Sequence, residues 1–126
     1  MFAQIDTMRM ACDLGAHAAQ RQRVIATNVA NADTPGYRTR DLPEFEDSLY
    51  RSGLDLRTTR AGHLGGFSGT RARTVEVEAE PSPNGNTVSL EDEMVRSADA
   101  KREFDLSLAV MQSGMNLMRT AIGRRG

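Results

Sequence analysis

Residues 90–122 read LEDEMVRSADAKREFDLSLAVMQSGMNLMRTAI. Leu90, Met94, Ser97 (or Ala98), Lys101, Phe104, Leu108, Met111, Met115, Met118 and Ile122 follow one another in steps of four and three. That is the spacing of one helix face, sustained as heptads. A flanking row, Leu106, Val110, Leu117 and Ala121, widens the apolar face in the C-terminal half. Ser89 stands at the N-cap position with Asp92 at N3, in the manner of a capping box. Glu91, Asp92 and Glu93 fill the first turn, where the helix dipole favours them. No proline interrupts the stretch, Gly114 is its one internal weak point, and Gly123 is a natural C-cap.

Such a helix is about 50 Å long at about 1.5 Å per residue. A compact domain of this size has a radius of gyration of about 14 Å. The rest of the chain is therefore too small to cover the helix, and much of its Met/Leu face is expected to stay exposed on a monomer. Exposed apolar surface of that extent signals partners.

Working outward, Thr7 to Ala32 reads as a second helix. Its face holds Ala11, Leu14, Ala18, Ile25, Val29 and Ala32, with Arg21 in the slot between Ala18 and Ile25. Asp6 or Thr7 is the expected N-cap. The face is thin, and each buried CH2 is worth only about 0.8 kcal/mol. Thr34-Pro35-Gly36 ends it: Pro35 biases Thr34 out of the helical region, and Gly36 accepts the left-handed conformation a turn needs.

Between the helices, Leu42, Phe45 and Leu49 predict a short helix near residues 45–50. Residues 61–69 hold Gly62, Gly65, Gly66 and Gly69 and read as a loop that a neighbour must order. Thr74 to Ala79 alternates with period two, the clearest strand signal in the chain. Pro81 to Asn86 is a turn cluster leading into the long helix.

The expected fold is mainly α. Long N- and C-terminal helices pack as an antiparallel hairpin or coiled coil, with a short inserted segment of loops and β-strand. Residues 1–36 and 87–126 make a discontinuous helical core, and 37–86 is the insert. Arg21 and Lys101 interrupt the two apolar stripes, as polar residues that set register do; the plainer reading of each is a stem snorkelling at the edge of the face.

Composition narrows the function. The 126 residues carry 16 basic and 17 acidic side chains for a net charge of -1, so no overall field recruits nucleic acid or an anionic membrane. One cysteine excludes an internal disulfide, and two histidines are too few for a histidine-rich metal centre. No run is long and apolar enough to span a bilayer. Met1 to Asp6 lacks the basic and apolar regions of a signal peptide, so an extracytoplasmic role is expected to use another route.

Enzyme-like groups are sparse. Asp99 and Glu103 are i,i+4 on one helix face and read as solvated charge. Cys12 and His17 are too far around a helix for a dyad, and no third group orients the histidine. His63 has no Cys or Asp close in sequence, and the glycine run lacks the Lys-Ser/Thr of a phosphate loop. No catalytic residue, cofactor, metal or small-molecule substrate is expected.

The end of the first helix reads IATNVANADTPGY over residues 25–37, followed by Arg40-Asp41. This string resembles the N-terminal signature of the axial proteins of the bacterial flagellum, the rod, hook and hook-associated family. With the GNTVSLEDEM string at 85–94 and the short length, the chain looks most like the proximal rod members. The resemblance covers both helices and little of the middle segment.

The resemblance implies a structural subunit of the proximal rod that assembles helically with itself and with other rod proteins and transmits torque. It implies contact with the small rod adaptor at the membrane-supramembrane ring. It also implies passage through the flagellar type III export apparatus without a cleaved signal, to a rod crossing the periplasm. Asn28, Asn31, Thr34, Pro35, Gly36 and Tyr37 are then the signature that turns the chain out of the helical layer. Leu14, Ile25, Met94, Phe104, Leu108, Met111, Met115, Met118 and Ile122 are the expected assembly interface. The rival expectation is a soluble helical hairpin acting as an adaptor or chaperone-like protein by helix-in-groove binding.

Overall fold

The computed structural model describes residues 2–52 and 72–123. In chain order these form α1 (Phe2–Ala30), β1 (Arg40–Asp41), α2 (Phe45–Ser52), β2 (Val75–Glu76) and α3 (Leu90–Gly123). The glycine run at 61–69 and His63 lie outside the described residues.

α1 and α3 form the body of the fold as an antiparallel hairpin. Met8 lies against Gly114, Gly15 against Ser107, and Gln22 hydrogen-bonds Ser97. Rising numbers on one helix thus meet falling numbers on the other. The fold is mainly α, with two long terminal helices and a short segment of loop and strand between them.

The rows that face each other are not the ones richest in large apolar residues. On α1 the buried apolar positions are Ala11, Ala18 and Ile25, seven apart, with the buried Asn28 following; His17 is buried as well. On α3 they are Glu93, Ala100 and Ser107, also seven apart, with Gly114 next in the row. Small side chains let the backbones approach: a Cβ on Gly15 would stand 2.9 Å from Ser107 Oγ. The Ser107 hydroxyl itself donates back to the Phe104 carbonyl at 2.6 Å.

The Met/Leu row of α3 lies to one side of this contact. Leu90, Met94, Leu108, Met115 and Ile122 are 48–75% exposed. Met111 and Met118, closer to α1, are half-buried.

Two boundaries differ from expectation. α1 begins at Phe2, so Asp6 and Thr7 lie inside the helix rather than capping it. It ends at Ala30, and Val29 is 45% exposed while Asn28 takes the buried place. Ser89 caps α3 as expected: its carbonyl accepts the Glu93 N–H at 3.0 Å and its hydroxyl accepts the Asp92 N–H at 3.4 Å.

The strand at 74–79 is reduced to a two-residue ladder. Arg40 pairs with Glu76 and Asp41 with Val75, antiparallel, and the Val77 N–H extends it to the Thr39 carbonyl at 3.0 Å. Val75 is 53% exposed, so no apolar face is buried there.

Candidate functional site

The described residues place two features within reach of function: a buried polar junction where α1 ends and α3 begins, and the uncovered flanks of α3.

The junction is built on Asn28, which is fully buried. Its Nδ2 donates to the Arg40 carbonyl at 2.6 Å and to Glu93 Oε1 at 3.2 Å. Its Oδ1 accepts the Arg40 N–H at 3.3 Å and the Tyr37 hydroxyl at 3.1 Å. One amide thus pairs both backbone groups of Arg40 as a neighbouring strand would, and holds the signature tyrosine besides.

The turn between them follows from its residues. Pro35 and Gly36 are central, Gly36 has φ 72°, and the Tyr37 N–H returns to the Thr34 carbonyl at 3.3 Å. This is the order and hydrogen bond of a type II turn, which requires positive φ at its third residue. The turn sits against a second one. Gly36 N–H donates to the Asn84 carbonyl at 3.0 Å, and Gly85, also at positive φ, lies against it, where a Cβ would stand 3.4 Å from the Gly36 Cα.

Asn31 and Asn86 close the helix end. Asn31 Nδ2 donates to the Thr27 carbonyl at 2.8 Å, and its Oδ1 accepts the Thr34 hydroxyl at 3.2 Å. Asn86 Nδ2 donates to the carbonyls of Asn31 and Thr34 at 2.9 and 2.8 Å. Carbonyls left over at a helix C-terminus need such donors. Thr87 then binds the outgoing chain: its hydroxyl accepts the Thr39 N–H at 2.8 Å and its N–H donates to the Tyr37 carbonyl at 3.0 Å.

An ionic relay continues from Asn28. Glu93 is 1% exposed and takes Arg96 at 2.6 Å. Arg96 reaches Asp41 at 3.7 Å, Asp41 binds Arg21 through both oxygens at 3.1 and 3.2 Å, and Arg21 approaches Glu103 at 3.6 Å. Burial by itself would lower the Arg21 pKa. The hydrogen bond and attraction of Asp41, with Glu103 and Asp99 beyond, outweigh that and hold it raised. Arg21 therefore ties α1 to β1 and α3 and does not merely skirt the face.

Lys101 is exposed and makes no ion pair among the described residues. Leu14 is half-buried, Ile25 is 4% exposed, and Phe104 is 39% exposed.

The enzyme-like groups are occupied structurally. His17 is buried, its Nε2 donates to the Pro43 carbonyl at 2.9 Å, and its ring meets Phe45 edge-on at 5.6 Å. It anchors the entry to α2. Cys12 lies 3.9 Å from the Met111 sulfur, on α3. Asp99 pairs with Arg102 at 3.0 Å. Among the described residues no group of three or more His, Cys, Asp or Glu side chains is placed to hold a metal, and no helix is long and apolar enough to cross a membrane.

Sequence reasoning named Asn28, Asn31 and Tyr37 but missed Glu93, Arg96, Asp41, Thr39, Asn86 and Thr87. Glu93 reads locally as first-turn charge, and its burial depends on a residue 65 positions away. One signal was available: Glu93 lies seven before Ala100, in the row of small residues that packs on α1.

The family described as flagella basal body rod protein matches residues 16–38, the stretch from His17 through the type II turn. The flagellar basal body rod protein FlgB of Agrobacterium fabrum is 31% identical over 113 residues, 82% of this chain and 83% of the relative. That of Salmonella typhimurium is 31% identical over 116 residues, with the same shares. That of Cereibacter sphaeroides is 33% identical over 119 residues, 86% of this chain and 92% of the relative. With identities above 30% over more than four-fifths of its length, the chain belongs to the FlgB family of flagellar basal body rod proteins.

Proposed function

We propose that this chain is a structural, non-enzymatic subunit of the proximal flagellar rod, assembling helically with copies of itself and with adjacent rod proteins and carrying torque through their buried contacts. The observation that carries the reading is the division of labour on α3. Its small and polar row packs on α1, while Leu90, Met94, Leu108, Met115 and Ile122 remain uncovered. A row of large apolar side chains left on the surface is matched to cover from other subunits, and a heterologous contact of that kind propagates into a helix.

Leu14, Met94, Phe104, Leu108, Met111, Met115, Met118 and Ile122 are the proposed assembly residues; Ile25, expected among them, is 4% exposed and is covered within the chain itself. The signature from Asn28 to Tyr37 directs the insert at 37–86 out of the helical unit formed by 1–36 and 87–126. The fine placement is part of the same proposal: a basal-body rod crossing the periplasm, the small rod adaptor at the membrane-supramembrane ring below, other rod proteins above, and delivery by the type III export apparatus without a cleaved signal.

Complementation tests this. In a flagellate strain deleted for its own counterpart, the chain restores basal bodies and swimming. Absence of the chain from purified basal bodies of swimming cells would overturn the reading.

A further inference from the structure

α3 carries two exposed apolar flanks, one on each side of the line that faces α1. Since successive residues turn by about 100°, Met94, Lys101, Leu108 and Met115 fall to one side, and Leu106, Val110 and Leu117 to the other. Leu106 and Leu117 are 56% and 53% exposed.

The two flanks differ in shape. The first is a ridge of Met and Leu side chains. The second is hollow: Val110, Gly114 and Leu117 line a groove of about 430 Å3 with Met8 of α1. A ridge and a groove at the same height on opposite sides of one subunit are complementary to each other, not each to itself.

Charge marks the same pairing. Lys101 stands in the ridge with no ion pair among the described residues. At nearly the same height on the groove side is Asp99, 43% exposed and bound on its own helix only by the exposed Arg102 at 3.0 Å, a surface pair of little strength that a second cation can share, with exposed Asp92 one heptad earlier. An ammonium covered by an apolar partner needs a carboxylate to face it.

We propose that the ridge of one copy seats in the groove of a second copy of this chain, side by side, with Lys101 reaching Asp99 of that copy. The contact is heterologous, so the joined pair keeps one free ridge and one free groove, one at each end, and addition continues around a helix. The inference rests on the rod-subunit reading and names the partner surface. It also gives Lys101 its register role, between subunits instead of within the hairpin.

Disulfide trapping in cells tests it. In a Cys12→Ser background, Leu108→Cys marks the ridge and Leu106→Cys marks the groove side. Both positions are exposed, and thermal melts of the purified chains check that each variant folds. Co-expressed in the deleted flagellate strain, the two variants are expected to give a cross-linked dimer in isolated basal bodies, well above the yield of either alone. Lys101→Glu in the ridge chain should cut that yield several-fold, and Asp99→Lys in the groove chain should recover it.

Dimer from the ridge variant alone means a self-symmetric contact and overturns the proposal. So does a Lys101→Glu change without effect. If the ridge cross-links only to a chain of different mass in swimming cells, another rod protein covers it; the proposal falls and the rod-subunit reading stands. If swimming and incorporation both fail with the unaltered chain, it is the rod-subunit reading that falls.

Discussion

At the scale of single residues, Asn28 is worth more than its size suggests. Its amide closes four hydrogen bonds, two of them to the backbone groups of Arg40. Asn28→Ala leaves those groups and Glu93 short of partners, and a buried unsatisfied polar group costs about 1–3 kcal/mol. The expected loss of folding stability is about 3 kcal/mol, read as a lower denaturation midpoint by circular dichroism. Asn28→Asp should be worse, because it removes both donated bonds and sets a carboxylate against Glu93. An Asp variant as stable as the Ala variant would contradict the hydrogen-bond assignment. The sequence marked Asn28 as an amide near a helix end but gave no sign of its partners, which come from segments far along the chain.

Arg21 makes the same point through charge. Its two-pronged bond to Asp41 uses a geometry that lysine lacks. Arg21→Lys should therefore cost about 1–2 kcal/mol although the charge is kept. Its folded pKa is raised, so its contribution is fully present below the unfolded value and is lost only as pH rises through the folded one. That window lies in strong alkali. Melts across ordinary pH should show the Arg21→Lys penalty undiminished toward the alkaline end of the range.

At the scale of elements, periodicity revealed both long helices and left open which face packs where. The eye follows Met and Leu, and they form the longest row on α3. The hairpin instead closes on Ala, Ser and Gly, whose small side chains let the two helices meet at close range. Gly15 shows how close. Gly15→Val adds bulk where even a Cβ would stand 2.9 Å from Ser107 Oγ, and overpacking costs about 1–3 kcal/mol. Gly114 faces the Met8 side chain at 3.0 Å, and an unbranched methionine can move aside. Gly114→Ala should then come out near neutral or stabilising, since Ala favours a helix interior over Gly by about 0.5–1 kcal/mol. A contrast of that sign between two glycines on one seam checks which residues form it. The short strand was legible in its alternation but not in its length: Val75 has no layer to pack on, so only two residues pair.

At the scale of the whole molecule, stability and assembly draw on different faces of the same helix, so mutations should separate them. Leu108 is 49% exposed and belongs neither to the buried Glu93, Ala100 and Ser107 row nor to the polar junction. Leu108→Asp is expected to leave the melting midpoint of the purified chain within about 0.5 kcal/mol of the parent, as surface changes do, and yet to abolish incorporation into basal bodies. Met111→Asp is a different case. Met111 is half-buried and its sulfur lies 3.9 Å from Cys12 on α1, so a carboxylate there meets the hairpin seam as well as any neighbour. It should lower the melting midpoint of the free chain and block incorporation together. Swimming cells with Leu108→Asp in their rods would show that the exposed row is not covered by other subunits. An unchanged melt for Met111→Asp would show that the hairpin does not rely on that end of its seam. The length of α3 announced surface in excess of what one small chain can cover, and this pair of substitutions asks whether that excess is where the rod is joined.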